Sequence, residues 1–252
     1  MTRQEDWVVL PERFVQDLKD VQGVYGKDAR LPAKGILVFG RQDLRAFARI
    51  LKGRSLPWND GYAIGRSGRS SIAVARSTIG APAAVINLEE AIVLGLRRVV
   101  SFGACGSIRK DLPIGSIVLP TRAYSDEGTS RHYGGTGWSR PDAGLLGALR
   151  TACSRRGIPF AQGATWTTDA PYRESRAKAR SLAKRGVVCV EMEAAAVFQL
   201  ARVRDVQVAS LFVVSDELEG PGWNPGFRDP RYLAAKRQAA PAIIDALRSA
   251  SR

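Results

Sequence analysis

The sequence predicts an α/β protein: a mostly parallel or mixed sheet covered by helices on both faces. Short apolar runs such as GILVF (35–39), RVVSFG (98–103) and QVASLFVVSD (207–216) have the length and composition of buried strands. Longer segments between them carry apolar residues at helical spacing. The two kinds alternate along the chain, which is the pattern of strand–helix–strand units. With 252 residues, 45% hydrophobic and 25% charged, the chain can build one large domain with a substantial core.

Each element follows from local chemistry. DLRAFARIL (43–51) continues the first strand as an amphipathic helix, and SSIAVARS (70–77) is the next strand. APAAVINLEEAIVLG (81–95) has Pro82 where a helix starts and Gly95 where one is capped. After RVVSFG come the strands GSIVLPTRAYS (115–125) and PFAQGATWTT (159–168), separated by a helix over DAGLLGALRTACSRR (142–156). A basic helix, RESRAKARSLAKR (173–185), ends at Gly186. The strand of VCVEMEAAAVF (188–198) runs into the helix EMEAAAVFQLARV, and QVASLFVVSD is the last core strand. The helix YLAAKRQAAPAIIDALRS closes the chain, with Pro241 expected to kink or interrupt it.

Several function classes are disfavoured. No apolar run approaches the ~18 residues that a membrane span requires. The N-terminus lacks the succession of a signal peptide, so a cytoplasmic setting is expected. Cys105, Cys153, Cys189 and the single His132 have no metal-ligand spacing, so no metal is expected. The net charge of +14 (38 basic and 24 acidic residues) favours anionic ligands. Its Lys and Arg residues are scattered, however, and no nucleic-acid-binding motif accompanies them, so nucleic acid is not the expected partner.

In sheets of this kind ligands sit at the carboxyl ends of strands. Three apolar strands end in small or charged residues, in SFGACGS, VEME and VVSDE. Glu193 stands at a helix start, where a carboxylate can accept hydrogen bonds from vicinal hydroxyls such as those of a ribose; it can equally be an acid favoured by the helix dipole. Asp216 follows LFVV, a half-buried place that suits a general acid and also suits a turn or capping aspartate.

VEMEAAAVFQLA, VVSDE, FGACGSI with LPIGSIVLPTRAYSDEGTSRHY, and TTDAPYRE together resemble the nucleoside phosphorylase and nucleosidase superfamily, the purine nucleoside and uridine phosphorylase group. The likeness covers roughly residues 35–245, leaving 1–34 as an N-terminal extension to a single domain over 35–252. It implies a three-layer sandwich with a mixed central β-sheet flanked by helices, a dimer or hexamer, and cleavage of the N-glycosidic bond of nucleosides without a cofactor. Inorganic phosphate would be the co-substrate. By the same resemblance Met192 and Glu193 hold the ribose, with Glu191 in support, and Asp216 protonates the leaving base, which favours a purine.

The base site that the resemblance implies is drawn from Trp166, Thr168, Asp169 and Tyr172, with Pro171 where a phenylalanine is usual. The phosphate or nucleophile site falls at Gly40, Arg45, Ser101 and Gly103, although phosphorolytic relatives carry arginine at the position of Ser101 and serine or threonine at that of Ala104. Thr78 in STIGAPA also replaces a usual glycine. Phosphorolysis to free base and ribose 1-phosphate is the expectation. Hydrolysis by water is the alternative, and a non-catalytic nucleoside- or nucleic-acid-binding protein is a second. His132 is left without a role.

Overall fold

The computed structural model describes residues 7–23, 30–220 and 222–249. Helix α1 (Pro11–Gln22) precedes β1 (Lys34–Val38), α2 (Arg41–Ile50), β2 (Arg54–Leu56), β3 (Asn59–Ser67), β4 (Ser70–Arg76), α3 (Ala81–Val93) and β5 (Arg98–Ser107). Then come β6 (Ile117–Asp126), β7 (Trp138–Ser139), α4 (Ala143–Arg155), β8 (Ala161–Thr168), α5 (Arg176–Ala183) and β9 (Val187–Glu191). The chain finishes with α6 (Ala194–Arg204), β10 (Gln207–Glu217), β11 (Asn224–Pro225) and α7 (Pro230–Arg248).

The strands form one mixed sheet in the order β11-β10-β6-β8-β9-β5-β1-β4-β3-β2, with β7 on β6. Because β10 also pairs with β5, the strands β5, β10, β6, β8 and β9 close into a ring, while β1, β4, β3 and β2 continue as an open wing. Alternating side chains of the central strands feed two cores. Leu37, Val99, Val208 and Phe212 pack towards α3 and α6, whereas Ile36, Val100, Phe102 and Val213 pack towards α2, α4 and α7. The predicted sandwich is therefore the observed one.

Four features depart from the sequence reading. The hairpin of β2 and β3 has no counterpart among the predicted elements. Helix α1 lies ahead of those elements and packs into the main core through Val15. Pro241 does not interrupt α7, which continues past it to Arg248 with Ala239, Ala242 and Ile243 fully buried. Strand β5 also does not stop at Gly103 but runs on to Ser107, held by β10 along its whole length.

That extension creates the crevice. On the side away from β10, β5 pairs with β1 as far as Phe102 and with β9 only from Gly106. Among the described residues, Gly103, Ala104 and Cys105 thus have no strand partner on that side. The sheet forks there, and a fork at the carboxyl end of parallel strands is where an α/β fold leaves room for a ligand.

Candidate active site

The two carboxylates of VEME stand where β9 ends beside the fork. Strand β9 ends at Glu191 and α6 begins at Ala194, so the chain turns within two residues. Glu191 is buried, and its Oε2 accepts the backbone N–H groups of Glu193 (2.8 Å) and Ala194 (2.6 Å). Its Oε1 accepts the hydroxyls of Thr167 (2.5 Å) and Thr165 (3.3 Å). These bonds satisfy the first amides of α6, which have no partner within the helix. Burial pushes the Glu191 carboxyl up and the four donors oppose that push. Grouped with the ribose ligands on resemblance, Glu191 instead fixes the turn from behind, because both its oxygens are engaged. Glu191→Ala is expected to strand two buried amides, at ~1–3 kcal/mol for each unsatisfied group. A markedly lower thermal midpoint checks this, and an unchanged one refutes the capping role.

Glu193 faces the other way. It occupies the cap position of α6, is 6% exposed, and its Oε1 accepts the backbone N–H of Gly80 at 2.6 Å. Gly80, with φ of 105°, caps α3 in a conformation that favours glycine, so two helix starts meet at this one carboxyl. Burial first, and the charge of Glu191 second, push Glu193 up to about 8. Met192, between the two acids, is half-buried.

Asp216 stands across β5. Gly106 pairs with Val190 of β9 on one side and with Asp216 of β10 on the other. A Cβ at Gly106 would lie 2.9 Å from Asp216 Oδ2, so a glycine there lets the carboxyl group lie over the strand. Asp216 Oδ1 accepts the Ser215 hydroxyl at 2.6 Å, and Oδ2 accepts the Trp223 indole N–H at 2.8 Å. The buried Cys105 thiol is pushed up by burial, by its neighbour Cys189, and by the charges of Asp216 and Glu191. Glu174, just before α5, is half-buried and pushed up to about 7 by burial and then by the charge of Asp216.

The base-site expectations fare unevenly. Trp166 is 1% exposed and belongs to a separate core with Ala179, Leu182 and Val190, its indole N–H bonded to Asp126. Its neighbours Thr165 and Thr167 reach Glu191, so alternation along β8 turns Trp166 to the opposite face; it is a core residue and not a stacking platform. Thr168 is buried and accepts the Ala170 amide, while Asp169 accepts the Gly128 amide, so both brace the loops beyond β8 and β6. Tyr172 is 99% exposed. Glu174, Ser215 and Trp223 complete the acidic end, and the sequence singles out none of the three.

At the nucleophile end, Gly40 caps α2 and lies two residues beyond Val38, level with the unpartnered edge of β5. Gly103 packs under Phe39, whose ring would stand 3.1 Å from an added Cβ. Gly103 lies inside β5, four residues short of its end at Ser107. Ser101 is buried short of the fork, between Leu37 and Ser210. Arg45 is exposed on α2 without a carboxylate partner among the described residues, Arg41 pairs with Asp60 (3.1 Å), and Lys236 pairs with Asp43 (2.6 Å). His132 is exposed on a 3₁₀ turn (Ser130–Tyr133).

Comparison with known proteins agrees with this architecture. The chain resembles a guanosine phosphorylase of Halorubrum lacusprofundi, 29% identical over 150 residues that cover 59% of this chain and 62% of the relative. It also resembles a DeoD-type purine nucleoside phosphorylase of Bacillus cereus, 30% identical over 151 residues, 58% of this chain and 64% of the relative. The matched stretch thus spans less than two thirds of those relatives. Among solved structures, purine nucleoside phosphorylase from Toxoplasma gondii in complex with immucillin-H superposes with a TM-score of 0.80 at 20% identity, covering 88% of this chain and 92% of that one. Uridine phosphorylase from Vibrio fischeri superposes with a TM-score of 0.77 at 19% identity, covering 87% and 93%. The family model described as the phosphorylase superfamily matches residues 35–247, which carry nearly all of the sheet and of helices α2 to α7, and the chain belongs to that superfamily.

Proposed function

We propose that the protein cleaves the N-glycosidic bond of a purine nucleoside by phosphorolysis, releasing free base and ribose 1-phosphate. The observation that carries this reading is the placement of two carboxyl groups, Glu193 and Asp216, on either side of the fork in β5. A nucleoside has the same two ends: a sugar with vicinal hydroxyls and a base that must leave with its charge neutralised. The purine nucleoside phosphorylases among the relatives support the choice of reaction.

In this mechanism Glu193 accepts the ribose hydroxyls, with Met192 packed against the sugar, and the buried acid is held by the Gly80 amide. Bond breaking runs ahead of nucleophile attack, so positive charge develops on the ribosyl ring and negative charge on the base. Asp216 serves the base by supplying a proton. Phosphate attacks from the side of Gly40 and the unpartnered edge of Gly103–Cys105, where backbone N–H groups can meet an anion. No further cofactor enters the reaction. We read the protein as a cytoplasmic homo-oligomer, a setting that suits its three free, buried cysteines.

One observation favours hydrolysis as a second reading: Ser101 and Ala104 bring no cation to the nucleophile end. Incubation with a panel of purine and pyrimidine nucleosides, with and without phosphate, separates the two. Purine release that requires phosphate and yields ribose 1-phosphate is the expected result. Free ribose formed at one rate with or without phosphate assigns the protein to hydrolysis, and no release from any nucleoside removes the enzymatic reading.

A further inference from the structure

We propose that Trp223 is a positioning residue for Asp216, its indole N–H fixing the carboxyl group in the orientation from which it serves the leaving base. This rests on the function proposed above. Trp223 is 62% exposed, so core packing does not explain a side chain of this size. It is directed instead by one hydrogen bond to Asp216 Oδ2 at 2.8 Å and by a tilted contact with the ring of Phe227, 6.3 Å between centroids and itself 51% exposed. The backbone just after it is clamped to the end of β10: β11 pairs with Asp216 and Glu217, Asn224 donates to Glu217 (2.9 Å), and the Gly226 amide donates to the Ser215 carbonyl (2.8 Å). The loop thus delivers the indole to Asp216 by the same strand pairing that carries Asp216 itself.

The chemistry suits the task. An indole N–H can only donate, so it stays on Oδ2 whether Asp216 is ionised or protonated. Ser215 bonds both Asp216 Oδ1 (2.6 Å) and the Cys105 carbonyl (3.3 Å), and its hydroxyl can turn from one acceptor to the other as the proton moves. The indole N–H is therefore the partner that stays in place throughout proton transfer, with the Ser215 hydroxyl adjusting beside it, while Oδ1 and Oδ2 each keep a further lone-pair direction for the base.

Trp223→Phe keeps an aromatic ring and removes the N–H. Turnover of an unmodified purine nucleoside is expected to fall about tenfold, the order of one charge-assisted hydrogen bond. Turnover of the same nucleoside methylated at N7, whose base is already cationic and leaves without a proton, is expected to hold within about twofold, as is the KM for both. An equal loss on the two substrates, or no loss on either, overturns the positioning role. Wild-type protein that releases base from neither substrate overturns this inference together with the proposed function, whereas an active wild type isolates the question of Trp223.

Discussion

Asp216→Asn is expected to lower the turnover of unmodified purine nucleosides by about 10²- to 10⁴-fold, the usual worth of a general acid. A riboside whose leaving group is a stable anion, such as a nitrophenolate, should be cleaved by the same variant at close to the wild-type rate. The amide has the shape of the acid and can still accept the Trp223 N–H and meet Ser215, so the site stays assembled; what it lacks is a transferable proton. Asp216 is also a strand residue pairing with Gly106 and Pro225, and that role survives the substitution. A purely structural aspartate would give equal losses on both substrates. Comparing kcat for the two ribosides therefore distinguishes proton donation from support of the fold.

The sheet is legible in the sequence because its strands are apolar on both faces. GILVF and SLFVV supply residues to two cores at once, which only a layer covered on both sides requires. Strand β3 escapes such a reading because Asn59, Asp60, Gly61 and Gly65 look like loop formers. Gly65 is a strand residue because the Leu51 backbone passes so close that an added Cβ would meet its carbonyl oxygen at 2.5 Å, a contact outside the local pattern.

The site divides in the same way. Glu193 and Asp216 stand at the ends of apolar runs and can be found from that position. Their partners cannot: the Gly80 amide comes from a helix start 113 residues away, and Trp223 lies in a loop with no periodicity to read. Trp166 is a base ligand by resemblance only, although β8 holds the answer, since alternation with Thr165 and Thr167 already fixes its face.

Glu193→Gln is expected to retain the fold and to cost about 2–4 kcal/mol in transition-state stabilisation, as when a charged hydrogen bond is weakened in a dry site. Its pH dependence gives a sharper test. With its carboxyl pushed up to about 8 by burial and the charge of Glu191, wild-type Glu193 is mostly protonated at pH 6 and mostly ionised by pH 9. A carboxylate can accept from both ribose hydroxyls and a neutral acid cannot do so as well, so kcat/KM should climb as pH rises from 6 towards 8. Stability should run the opposite way. A folded-state pKa above the unfolded value of about 4.3 means that the native state holds this proton more tightly, so its contribution is fully present below that value and is lost as pH rises through about 8. A glutamine at this position cannot titrate. The variant should therefore lose the rise in kcat/KM and gain stability relative to wild type between pH 5 and pH 9, measured by urea unfolding at each end. A variant whose kcat/KM still climbs between pH 6 and 8 would show that another group governs sugar binding, and parallel stability curves would remove Glu193 as the buried titrating acid.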